Sequence, residues 1–180
     1  MGATTPPSRT SPLSLGWWRA RPVLAALAFL ALVIAGAVGW YLGSPLFIRT
    51  RLVEEELPGG TTEAELTVVS QGNFMDADNF HKGSGLASIV RTPDGKAVVR
   101  LENFSVTNGP ALEVFLAPHP QPSNHDEVYA DALALGALKA SEGAFSYELP
   151  AGDDGARYRS VIIYCVPFRV IFSVASLTAG

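Results

Sequence analysis

Hydrophobic and polar positions change rhythm along this chain. From Val23 to Leu42 the residues read VLAALAFLALVIAGAVGWYL, twenty positions without a charge. A helix rising 1.5 Å per residue covers roughly 30 Å over that length, the thickness of a hydrocarbon core. Every turn is apolar and no face is left for water, which predicts a membrane span over residues 22–43 rather than an amphipathic core helix. Trp17, Trp18, Trp40 and Tyr41 bracket the run as interfacial aromatics do. Two forms of this segment stand open: an uncleaved signal anchor, or a signal peptide cut after Ala35-Gly36-Ala37, which has the small-x-small form. Apolarity continuing through Trp40 and Tyr41 favours the anchor.

Residues 1–21 lack this pattern and, rich in Thr, Ser and Pro at their start, read as a short cytoplasmic tail. Residues 44–65 read as a linker, in which Pro58-Gly59-Gly60 breaks any helix begun by Arg51–Leu57. From Leu66 the texture becomes short apolar or alternating runs separated by turn residues. The predicted strands are LTVVSQGNF (66–74), GLASIVRT (85–92), KAVVRLENF (96–104), ALEVFLA (111–117), AFSYELP (144–150), RYRSVIIYC (157–165) and FRVIFSVASL (168–177). Pro93-Asp94-Gly95 marks a hairpin: proline presets one turn dihedral and glycine accepts the positive φ that follows. PHPQPSNHDE (118–127) reads as a surface loop, and DALALGALKASEG (131–143) as a helical turn or a short strand ending at Gly136. About seven strands in one domain, residues 66–180, predict an all-β fold, an antiparallel β-sandwich. The last two runs are nearly all apolar, which predicts mid-sheet positions.

Charge narrows the partners. Residues 1–46 carry Arg9, Arg19 and Arg21 and no acid, while the rest of the chain holds ten basic and all seventeen acidic side chains. A mildly acidic domain lacks the basic face that phosphate binding needs, so nucleic acid is excluded as a partner. Only Arg49 and Arg51 follow the span closely. The balance places the N-terminus in the cytoplasm and the C-terminal domain on the extracytoplasmic side of the cell membrane, held by a single pass.

Catalytic motifs are absent: no Gly-x-Ser-x-Gly elbow, no P-loop, no His-Glu-x-x-His. His119 and His125 lie in the proline-rich loop and read as solvated. Asp76, Asp78 and His81 resemble the start of a calcium loop. The position that requires glycine is His81, and the closing glutamate position is Ala87, so the segment reads as a polar turn with no metal assigned. Cys165 is the only cysteine in the chain. Alternation puts Val161, Ile163 and Cys165 on one strand face. There the thiol is either a small core hydrophobe or, at a strand end beside the Val166-Pro167 connection, a reactive group.

The phrases GNF (72–74), FHKGSGLASI (80–89), LENFSVTNGPALEVFLA (101–117), LGALKASEGAFSYELP (135–150) and YRSVIIYCVPFRVIFSVASL (158–177), in that order, resemble the DM13 domain. The resemblance covers about residues 66–177 and implies a β-sandwich related to DOMON domains, some of which bind haem or sugars. It also implies that Cys165 takes part in electron transfer with a redox protein partner. A thiolate there wants a cation nearby: Arg169 is the first candidate and His81 the second. DOMON-type haem sites use methionine and histidine, which makes Met75 and His81 the pair to examine for a cofactor, haem or metal, that the residues themselves do not name.

Overall fold

The structure is a computed structural model that describes residues 22–47, 49–54 and 65–180. Two compact units are present, Met1–Ser44 and Pro45–Gly180. Helix α1 (Pro22–Phe47), most of it in the first unit, contains a twenty-residue stretch, Pro22–Tyr41, long and apolar enough to cross a membrane. Anchors and signal sequences share that property. The expected tail, residues 1–21, lies outside the described residues.

The second unit is built from one large curled sheet. In chain order its strands are β1 (Arg51–Val53), β2 (Thr67–Asp76), β3 (Gly83–Arg91), β4 (Ala97–Val106), β5 (Leu112–Ala117), β6 (Leu133–Ala137), β7 (Glu142–Glu148), β8 (Ser160–Cys165), β9 (Val170–Ser176) and β10 (Thr178–Ala179). One short helix, α2 (His125–Tyr129), lies between β5 and β6. Neighbours run β1-β7-β4-β3-β2-β9-β8-β5-β6, with β10 beside β2.

The curl comes from β2. Residues 67–73 pair with β3, while Phe74–Asp76 pair with β9. The strand therefore belongs to both halves of the sheet, which fold over each other and enclose the core as a sandwich does. Where β2 passes from β10 to β9, Gly72 lies so close to the end of β9 that a Cβ there would meet the Ser176 carbonyl oxygen at 2.0 Å. Only glycine fits this crossing without moving the backbone.

The inward faces of both halves meet in one apolar cluster. Phe74, Phe104, Phe145 and Tyr147 form a chain of edge-to-face rings, with successive centroids 5.1, 5.6 and 6.1 Å apart. From β8, Val161, Ile163 and Cys165 point into it. The other face of β8 is also dry. Phe115, Ile162 and Tyr164 pack with Val128 of α2 in a second cluster. That double cover is why β8, between β5 and β9, is buried at every position and reads as a continuous apolar run.

Two features differ from the pattern-based expectation, and a third takes one of the two forms expected. All pairings are antiparallel except that of β1, which runs parallel to β7. Arg51–Val53 lie within the stretch 44–65 expected as a linker, yet they pair with Glu142–Ala144, and Glu54 closes the strap by accepting from Lys139 Nζ at 2.7 Å and Ser146 N at 2.9 Å. Three residues of β1 are too few to show a period of two. The loop at 118–127 turns into α2, capped by Asn124 Oδ1, which accepts from Glu127 N at 3.1 Å. DALALGALKASEG supplies β6, with Gly136 at φ 101° absorbing a bulge against β5.

Replacing Gly72 by alanine is expected to lower unfolding stability by about 1–3 kcal/mol, the usual cost of forcing atoms into a filled site. Thermal denaturation of the full chain in detergent, followed by circular dichroism, measures it. An unchanged midpoint would show that the β2 crossing accepts a side chain.

Candidate functional site

At one end of the sandwich three connections converge: the β2–β3 turn, the segment between β4 and β5, and the β8–β9 turn. Each is fixed locally. In the first, Asp78 Oδ1 accepts from the backbone N–H groups of Phe80 at 2.7 Å and His81 at 2.8 Å, an Asx-type turn, while Oδ2 lies 2.7 Å from His81 Nδ1. Asp76 accepts from Lys82 Nζ at 2.9 Å and Gly83 N at 3.0 Å. The first and second connections are joined by Thr107, whose Oγ1 accepts from Lys82 N at 2.9 Å and whose own N–H donates to the Lys82 carbonyl at 2.9 Å.

The second connection carries the Asn108-Gly109-Pro110 sequence. A Cβ on Gly109 would stand 2.5 Å from the Phe172 ring, so the backbone can lie against that ring only because the residue is glycine. Pro110 then presents its carbonyl to the end of β8, where Cys165 Sγ donates to it at 3.1 Å. The third connection, Val166–Arg169, returns the chain to β9 with Arg169 at φ 56°, a left-handed conformation unusual for a residue with a side chain.

Between these connections lies an apolar pocket of about 540 Å³. Cys165 lies at its floor, 0% exposed, and the His81 ring forms part of its wall, tilted on Phe172 with centroids 4.3 Å apart. Phe80 and Phe168 stand at its rim, 83% and 69% exposed. No charged side chain lines it.

The other candidates fall elsewhere. Arg169, expected beside the thiol, extends to a different groove, where its Nη2 lies 2.6 Å from His125 Nε2. His125 Nδ1 is in turn 2.6 Å from the hydroxyl of Tyr164, the buried neighbour of Cys165 on the opposite strand face. Because an arginine N–H can only donate, Nε2 accepts and Nδ1 carries the ring proton. Burial is the first cause holding the Tyr164 hydroxyl above the ordinary phenol range. Met75 lines this second groove with Arg169 and not the pocket of His81. Strand geometry separates the pair: Met75 sits on β2 opposite Val174, whereas His81 lies beyond the turn. No haem-type methionine–histidine pocket is formed by these two residues. The carboxylates of Asp76 and Asp78 are engaged by the turn itself, as a polar turn requires.

Sequence pattern missed Phe80, Phe168 and the Tyr164–His125–Arg169 chain. The first two lie on turns, where no hydrophobic period exists to mark a side chain as facing a pocket. The third joins residues 44 positions apart.

The fold and its end pocket define a small β-sandwich-like domain of one curled sheet, with one thiol, one histidine and an aromatic rim on an uncharged cavity. Against family profiles, the one described as "Electron transfer DM13" matches residues 73–177. The chain belongs to the DM13 family. No curated protein and no solved structure gives a match.

The bond from His81, followed by those from its backbone N–H and that of Phe80, holds the Asp78 carboxyl down at about 2. A folded value below the ordinary 3.8 stabilises the turn fully above pH 3.8, and the effect is lost as pH falls through about 2. A carboxyl-detected NMR titration of the full chain is expected to place Asp78 near 2. In His81→Phe the midpoint should rise toward 3.8, because the largest cause is gone; an unmoved midpoint would show that the backbone donors alone set it.

Proposed function

We propose that this protein is a membrane-tethered electron-transfer domain facing the extracytoplasmic side, with Cys165 as its working group. Membership of a family described by electron transfer supports the general role. The observation that carries the site is the convergence of Cys165, His81 and the Asn108-Gly109-Pro110 loop, far apart in sequence, around one uncharged pocket. The tether is α1, and its orientation rests on Arg9, Arg19 and Arg21 ahead of the span against Arg49 and Arg51 after it.

The chemistry open to a lone thiol limits the partner. With one cysteine, the chain has no disulfide of its own to form. In exchange with a partner disulfide, Sγ loses its proton, bonds one partner sulfur, and the partner's other sulfur leaves as a thiolate. A partner thiol then resolves the mixed disulfide. The bond to Pro110 O must break first, and the rim at Phe168 must admit the partner.

A second account has its own support. Cys165 is fully buried and its S–H is satisfied by a backbone carbonyl, as a core cysteine's would be. The domain is then a binding module in which the thiol only packs.

Thiol-reagent labelling of the full chain in detergent separates the two. A working Cys165 is expected to label in the native state faster than global unfolding permits, and faster still in Phe168→Ala, which removes an exposed ring from the rim. Labelling that appears only with denaturant, at the same rate in both proteins, assigns Cys165 to the core.

A further inference from the structure

The end pocket has a polarity that selects its ligand. It lacks a cation to hold an anion and an acid to hold a cation. Its walls and rim include three phenylalanine rings, Phe80, Phe168 and Phe172, two of them largely exposed. Exposed rings around a concave apolar surface leave π faces available for a flat partner. The volume, about 540 Å³, is that of a site for one small molecule rather than a peptide groove.

Most polar groups at the pocket already have partners. The Cys165 thiol donates to Pro110 O, and Thr107 Oγ1 accepts from Lys82 N. His81 differs. Its Nδ1 faces the Asp78 carboxylate at 2.7 Å, and its Nε2 has no partner among the described residues. Asp78 stays ionised through the neutral range. An ionised carboxylate can only accept, so Nδ1 carries a proton, and the neutral tautomer with that proton offers a lone pair at Nε2. A ligand fitted to that tautomer brings a hydrogen-bond donor on a flat, uncharged body.

We propose that this pocket binds a neutral hydroxylated aromatic ring of the quinol class, stacked against the rim phenylalanines with one hydroxyl donating to His81 Nε2. The inference deepens the electron-transfer reading by naming the small molecule that reading lacks, and it rests on that reading for its meaning. It does not need Cys165 to react. The oxidised ring, a quinone, has only carbonyl acceptors to offer. It loses the bond to Nε2, so the reduced form is held more tightly.

Equilibrium dialysis tests this with trimethylhydroquinone and the full chain in detergent micelles, without oxygen, against micelles alone as the blank. The expected result is saturable binding at one site per chain. Binding should weaken about tenfold for the di-O-methyl ether, which cannot donate, as loss of one hydrogen bond implies. Phe168→Ala, a change at an exposed position that leaves the fold intact, should weaken the quinol and its ether alike. His81→Leu should bring the quinol down to the level of the ether. Absence of saturable binding overturns the proposal, and so does equal binding of quinol and ether. A preparation that carries a haem absorption band lost in His81→Leu also overturns it, because a porphyrin then holds the site. The two readings fail separately. Native labelling of Cys165 without ring binding sinks only the quinol site. Ring binding with a thiol silent until unfolding sinks only the redox role of Cys165.

Discussion

The fold depends on one strand serving two halves of a sheet. β2 gives its first seven residues to β3 and its last three to β9, and so carries the sheet from one half to the other. A continuous sheet can close over a core only if some strand turns the corner, and the backbone crowding this creates is met by the missing side chain at Gly72. Register then follows. Phe74 enters the core one step beyond the crossing and meets Phe104 edge to face, which aligns β4 across from β2. A one-residue slip would turn Phe74 outward, so the aromatic chain and the crossing specify each other.

The same corner builds the pocket. β2 continues past its crossing into the turn held by Asp78, and β9 begins at Val170, beside the end of β8. The turn and the strand end are therefore brought to one side of the sandwich by the strand order. Satisfied backbone groups make that end rigid: Thr107 ties the first turn to the second connection, and Pro110 O ties the second connection to Cys165. Hydrogen bonding here consumes nearly every polar atom, which is how a site made of loops can present an apolar interior.

Much of this was legible from pattern alone, and the gaps have physical reasons. Seven strands declared themselves because their lengths allow a period to appear. Val161, Ile163 and Cys165 were placed on one face by alternation, and the structure puts them in the core together. β1 and β10, at three and two residues, are held by pairing and not by pattern, so no sequence window could find them. Phe80 and Phe168 escaped because exposure of a turn residue leaves no mark in hydropathy. The placement of Arg169 beside Cys165 rested on closeness along the chain. A turn reverses direction, and the left-handed backbone at Arg169 sends its side chain to the opposite face.

That reversal explains why a single cysteine suits this position. The Val166–Arg169 turn presents Phe168 to the pocket rim and Arg169 to the outer groove, so one short segment borders both. On the outer side it is held by Arg169 to His125, and through His125 to Tyr164, the residue before Cys165. The thiol thus lies under a turn anchored from the far face of its own strand. Access to Sγ requires the rim to move, and the Arg169–His125–Tyr164 chain resists that movement with charge-assisted bonds made in part by a buried hydroxyl. One thiol lies at the floor of the pocket, shielded by a tethered turn rather than by a covalent bond.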